Sequence, residues 1–133
     1  MRVFLDTNVW LSATVFSGLC EELLLQCAES DWLYSSPLIR VEAHEVLSVK
    51  FSKNVRACDM FDSVWSVAQL IEDVADPADD NDARLVNAAC HADMDLFVTG
   101  DKRVLSWTER QGKSHAMRIV RSEEHTSELQ SPC

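Results

Sequence analysis

Two short apolar segments of this chain end in the same way, and they constrain its fold more than any other feature. The first is Phe4-Leu5 followed by Asp6, and the second is Phe97-Val98 followed by Thr99-Gly100-Asp101. Short apolar segments of this kind are typical of buried strands. Segments with helical spacing lie between them, so the sequence predicts an α/β fold, a parallel sheet with helices on both faces.

Hydrophobic spacing and turn residues predict the positions of the individual elements. We expect strands at residues 3–5, 32–34, 96–98 and 117–120. We expect helices from residue 19, at 37–49 after the N-cap Ser36, and at 55–71 as one long amphipathic helix. A further helix begins at a cap formed by Asn81 or Asp82, after a break at Asp76-Pro77.

The last twelve residues, SEEHTSELQSPC, differ from everything before them. They contain three Glu, no Lys or Arg and a single Leu, so they have no apolar periodicity. Residues 121–131 also resemble a translated sequencing-library adapter. We therefore predict one domain at 1–121, followed by a disordered, non-native tail at 122–133 that replaces the natural closing element.

Composition limits the classes of function. The chain carries 22 acids against 12 Lys plus Arg, a net charge of −10 that repels nucleic acid unless cations offset it locally. No segment approaches the roughly 18–20 uncharged apolar residues of a membrane span. The chain runs from Met1-Arg2 directly into a strand, and its five Cys form no CxxC pair. These features predict a cytoplasmic protein with reduced thiols and no membrane partner.

Four acids lie where the carboxyl ends of parallel strands would bring them together. Asp6 and Asp101 follow strands, whereas Glu42 and Asp82 stand near helix starts. Clustered carboxylates raise each other's pKa, and a hard divalent cation relieves that repulsion. Mg²⁺ and Mn²⁺ prefer oxygen ligands and can polarise a phosphoryl group.

The chain resembles the PIN-domain family of metal-dependent ribonucleases, which includes the VapC-like toxins of bacterial toxin–antitoxin pairs. Four segments carry the resemblance, in order and with family-like spacing over about residues 2–120. They are FLDTNV at 4–9, SPLIRVE at 36–42 followed by Val46-Leu47, DARLVNAA at 82–89, and LFVTGD at 96–101.

The resemblance implies a three-layer α/β/α sandwich and a Mg²⁺- or Mn²⁺-dependent phosphodiesterase that acts on RNA and leaves a 5′-phosphate. It also implies an antitoxin partner and a homodimer. By position it gives Asp6 and Asp101 as direct metal ligands, and Glu42 and Asp82 as residues that orient or deprotonate water or hold a second ion. Asn8 and Thr99 would orient these carboxylates.

Several assignments stay open at this point. Glu45 lies three residues beyond Glu42 on the same helical face and competes with it, and Asp79 and Asp80 compete with Asp82. The tryptophans at positions 10, 32, 65 and 107 are expected in the core or an interface rather than as base-stacking platforms, with Trp10 the best candidate for exposure near the site. The cations beside the acids are candidate phosphate contacts or surface residues that balance the acids: Arg40, Arg84, Lys102 and Arg103.

Two other classes of function compete with the nuclease. A phosphoacceptor signalling domain also places acids around Mg²⁺, but it requires an Asp on a middle strand, where this chain has Ser35-Ser36. A catalytically silent scaffold that binds only RNA or protein is the other alternative. All four acids are present, so the sequence favours the nuclease.

Overall fold

The computed structural model describes residues 1–74 and 80–122 and contains six strands and six helices within those ranges. The strands are β1 (Val3–Leu5), β2 (Leu33–Ser35), β3 (Gln69–Leu70), β4 (Leu96–Val98), β5 (Glu109–Gln111) and β6 (Ala116–Val120). The helices are α1 (Thr7–Val15), α2 (Leu19–Glu29), α3 (Pro37–Lys50), α4 (Val55–Trp65), α5 (Asn81–His91) and α6 (Lys102–Leu105).

The strands form one sheet in the order β3-β2-β1-β4-β6-β5, parallel except for β5. From β1 the chain builds outward through β2 and β3, then returns to β4 on the other side of β1 and continues to β6. The strand order therefore reverses between β1 and β4, which is where ligands bind in open α/β sheets. The predicted α/β fold with a central parallel sheet is confirmed.

The core lies around the two central strands. Every residue of β1 and β4 is buried, and the rings of Phe4 and Phe97 stack with centroids 5.5 Å apart. On one side α1 packs against α2, α3 and α4. Trp10 on α1 is completely buried beside Phe61 and Trp65, so its predicted place in the core is confirmed and it is not exposed near the site. Residues 9, 10, 13 and 14 form the buried face of α1. The sequence pattern indicates only a polar segment at residues 6–8 after the first strand.

The predicted single helix at 55–71 begins at the expected residue, but its predicted length is wrong. Helix α4 ends at Trp65, and the chain then forms β3 beside β2, with the amide of Ile71 donating to the Ser35 carbonyl at 2.8 Å. This strand pairing overrides an apolar spacing that continues past the helix end. The elements α1, α6 and β5 were not predicted.

Some predictions fall outside the described residues. The break at Asp76-Pro77 lies there, and so do residues 123–133 of the predicted tail. Ser122, the last described residue, is buried.

Candidate active site

Asp6 is the centre of the candidate site. It follows β1 and caps α1, because its Oδ1 accepts the amide of Thr7 at 2.8 Å. Its Oδ2 accepts the hydroxyl of Thr99 at 2.8 Å, and only 4% of the residue is exposed. Burial, with smaller contributions from the charges of Asp82 and Glu42, raises the pKa of Asp6 to about 6 against the lowering effect of these two hydrogen bonds. Those two carboxylates therefore lie close enough to act on Asp6.

Asp101 joins this group through Thr99. The Thr99 hydroxyl, fully buried at the end of β4, accepts the amide of Asp101 at 3.1 Å while it donates to Asp6. Asp101 caps α6 by accepting the amide of Arg103 at 2.8 Å. Asn8 connects the same two loops, since its Oδ1 accepts the amide of Gly100 at 3.3 Å. Thr99 and Asn8 thus fix the loop after β4 against the start of α1.

Glu42 reaches the group from α3. Its Oε1 accepts the hydroxyl of Thr7 at 2.7 Å, and its Oε2 accepts the side-chain amide of Asn81 at 3.3 Å. Glu45 is exposed on the outer side of α3, where it lines a shallow depression together with Arg40. The structure therefore brings Glu42, and neither Glu45 nor Arg40, to the group around Asp6.

Asp82 lies in the first turn of α5, but it does not cap that helix. The cap is Asp80, whose Oδ1 accepts the amide of Ala83 at 2.8 Å, so the prediction of Asn81 or Asp82 is wrong. Three consecutive residues suit a cap position, and only the backbone geometry selects one of them. Asp79 lies outside the described residues.

Arg103 connects Asp80 and Asp82 to the loop after β4. Its Nη2 lies 2.8 Å from Asp80 Oδ2 and 2.9 Å from Asp82 Oδ2. The hydrogen bonds from Ala83 and Arg103 hold the pKa of Asp80 below its usual range. Two other candidate phosphate contacts differ from it: Arg84 donates to the carbonyl of Val74 at 3.1 Å, and Lys102 is exposed.

The family resemblance gave Thr99 and Asn8, which fix the loops of Asp6 and Asp101, but sequence reasoning missed the two residues that hold Glu42. Thr7 and Asn81 contact Glu42 from positions 35 and 39 residues away, and no local pattern marks such a contact. Asp80 could have been recognised from the sequence, because Asp is a preferred N-cap residue and its carboxylate can accept the amide three residues later, here that of Ala83.

Comparison with known proteins places this arrangement in a family. A family model described as "PIN domain" matches residues 2–103. The chain belongs to the PIN-domain family. PIN domains are generally nucleases that typically use divalent metals, and they are associated with RNA.

The fold of this PIN domain is similar to a solved structure, the crystal structure of PAE2754 from Pyrobaculum aerophilum. The two share 15% sequence identity with a TM-score of 0.66, over 97% of this chain and 89% of the other. No curated protein sequence matches this PIN domain. Within the described ranges, no helix is long and apolar enough to cross a membrane.

The side chains of this PIN domain fit a hard divalent cation by the chemistry of their donors. All candidate ligands are carboxylates, and the Asp6 carboxyl is buried under the influence of two further acids. Across residues 1–74 and 80–122, no three Asp, Glu, His or Cys side chains lie close enough together to hold a metal ion by themselves. Mg²⁺ usually takes one or two protein carboxylates and completes its shell with water and substrate phosphate, so the available donors suffice.

Proposed function

We propose that this PIN domain is a Mg²⁺- or Mn²⁺-dependent endoribonuclease and the toxin of a toxin–antitoxin pair. The observation that carries the proposal is the hydrogen-bonded connection of Asp6, Thr99 and Asp101 at the strand reversal between β1 and β4. The charges of Glu42 and Asp82 also act on the buried Asp6 carboxyl, each with a smaller influence than its burial. Acids around Asp6 would repel RNA unless a cation were held there, and cation-assisted phosphodiester hydrolysis is the chemistry that uses both.

The four acids have different roles in this proposal. Asp6 and Asp101 hold the divalent ion, with Thr99 and Asn8 fixing their loops. When bound, the ion supplies positive charge that stabilises the charge developing on the phosphate oxygens. Glu42 orients the attacking water and accepts its proton, because Thr7 and Asn81 fix its carboxylate in one orientation. Asp82, in the first turn of α5, helps to orient the attacking water or holds a second ion.

The bond changes are those of hydrolysis. The water oxygen forms a bond to phosphorus and gives a proton to Glu42, and the bond from phosphorus to the 3′-oxygen breaks as that oxygen takes a proton from solvent. The upstream product keeps a 3′-hydroxyl, and the downstream product carries a 5′-phosphate.

A cleavage assay tests the nuclease. A labelled structured-RNA pool is incubated with Mg²⁺ or Mn²⁺ and the wild type, Asp6→Asn, Asp101→Asn, or the control Asp59→Asn on the exposed side of α4. We expect metal-dependent cleavage by the wild type and the control, and none by the other two variants. Unchanged activity in both site variants would refute the mechanism. Folded protein that binds RNA and cleaves nothing would instead support a silent scaffold.

The biological role is tested separately. We propose that the protein acts in the cytoplasm, that an antitoxin protein silences it, and that it forms a homodimer. Induced expression in bacteria should then arrest growth, and Asp6→Asn should not. Light scattering should give twice the mass of one chain; a monomeric mass would exclude the homodimer.

A further inference from the structure

The basic residues of this acidic protein are concentrated directly after Asp101. Residues 102–121 contain six of the twelve Lys and Arg and only one acid, Glu109, so this segment carries +5 while the rest of the chain carries −15. The basic residues are Lys102, Arg103, Arg110, Lys113, Arg118 and Arg121. Such a segment offers a polyanion a place to approach an otherwise repellent protein.

Two of these cations lie against one aromatic ring. The guanidinium carbon of Arg103 is 5.4 Å from the centre of the Trp107 ring, and that of Arg110 is 5.3 Å away. Both arginines are exposed, whereas Trp107 is half-buried and packs partly against the core. Tryptophan is the aromatic residue that attracts cations most strongly, so the ring and the guanidinium groups form one surface.

The backbone holds this ring in place. Thr108, the next residue, has a φ of 59°, a left-handed conformation that is rare for a β-branched residue. The Trp107 amide donates to the Val104 carbonyl at 3.0 Å, and the Ile119 amide donates to the Thr108 carbonyl at 2.9 Å. Strain of this kind persists only where surrounding contacts enforce it, and it is common at functional sites.

The same surface is continuous with the candidate active site. The Arg103 guanidinium that lies against Trp107 also contacts Asp80 and Asp82. Arg103 therefore links the surface around Trp107 to the acids at the start of α5.

We infer that Trp107, Arg103 and Arg110 form a basic ledge that binds single-stranded RNA and leads it to the acids. Unpaired bases stack on aromatic rings and guanidinium planes, while their phosphates meet the cations. A duplex keeps its base faces covered and cannot use the ring. The inference rests on the proposed function for the identity of the substrate, and it adds a binding surface formed by Trp107, Arg103 and Arg110.

RNA binding measured without cleavage tests the ledge. The affinity of a fluorescent single-stranded RNA and of the matching duplex is measured by anisotropy in EDTA, at several salt concentrations. We expect Trp107→Ala to weaken single-strand binding about 5- to 100-fold, the range for loss of one stacked base, and Trp107→Phe to retain most of it. Arg110→Gln should weaken binding and lower the salt slope by about 1. Arg56→Gln, an exposed arginine on α4, should have no effect.

The outcomes test RNA binding by the ledge independently of the proposed nuclease activity. RNA bound through Trp107 but never cleaved would overturn the proposed function and keep the ledge. Metal-dependent cleavage, with equal RNA affinity for the wild type and Trp107→Ala, would overturn the ledge alone. Tighter binding of duplex than of single strands would also overturn it. So would Trp107-dependent binding of a poly-glutamate peptide in place of RNA, since the surface would then recognise an acidic protein.

Discussion

Arg103 Nη2 lies 2.9 Å from Asp82 Oδ2 and thereby joins the first turn of α6 to the first turn of α5. The guanidinium sits beside a carboxylate that the family resemblance assigns to metal chemistry. A cation already fixed there competes electrostatically with a divalent ion and neutralises part of the charge that would attract it.

Replacement of Arg103 should therefore change metal binding directly. We expect Arg103→Gln to bind Mn²⁺ a few-fold more tightly in isothermal titration calorimetry, because Asp82 loses its protein partner. Lys102→Gln is the matched control, since it removes one neighbouring positive charge and leaves the ion pair intact. Equal effects of the two substitutions would mean that net charge, rather than the Arg103–Asp82 contact, governs the affinity.

The buried Asp6 carboxyl should make stability depend on pH in an unusual direction. Its pKa is about 6 in the folded protein against 3.8 for the ordinary side chain, so the folded state binds the proton more tightly than the unfolded state. Ionised Asp6 therefore destabilises the folded protein above pH 6. This penalty diminishes as the pH falls below 6 and is gone only below both pKa values, near about pH 3.

Asp6→Asn isolates this effect. In metal-free buffer at pH 7.5 we expect the variant to have a higher free energy of unfolding than the wild type, by roughly 2–3 kcal/mol. The difference should shrink to roughly a third of that value when urea unfolding is repeated at pH 4.5. Asp59→Asn should show no such trend. A variant less stable than the wild type at pH 7.5 would contradict the assignment of burial as the dominant influence on Asp6.

The strand-end acids were predictable because they depend on local pattern and on one topological rule. An apolar run followed by an acid identifies Asp6 and Asp101, and parallel strands place their carboxyl ends at one edge. Contacts between separate helices were not predictable. The Arg103–Asp82 and Thr7–Glu42 pairs depend on how α6, α5, α3 and α1 lie relative to the sheet, which no residue spacing encodes.

The Thr99 hydroxyl should matter more than an equally buried hydroxyl elsewhere. It donates to Asp6 and accepts from the Asp101 amide, whereas the Thr14 hydroxyl donates to backbone carbonyls of its own helix. We expect Thr99→Val to raise the pKa of Asp6 further and to lower metal affinity and kcat about 10- to 100-fold. Thr14→Val should leave both unchanged. Equal activity of the two variants would show that the shared hydroxyl does not organise the site.

Glu42 and Glu45 provide the sharpest test of which glutamate serves the reaction. Both lie on α3, but the Glu42 carboxylate is fixed by Thr7 and Asn81, whereas Glu45 is exposed beyond the acid group.

If Glu42 accepts the proton of the attacking water, Glu42→Gln should lower kcat about 10²- to 10⁴-fold and leave single-stranded RNA affinity close to that of the wild type. Glu45→Gln should match the wild type in both. Thr7→Val should fall between them, because it keeps the carboxylate and removes the 2.7 Å hydrogen bond that orients it. Circular dichroism of each variant controls for folding. A large loss in Glu45→Gln with an active Glu42→Gln would reverse the assignment, and it would mean that α3 rotates when RNA binds, because only a rotation brings Glu45 to the group around Asp6.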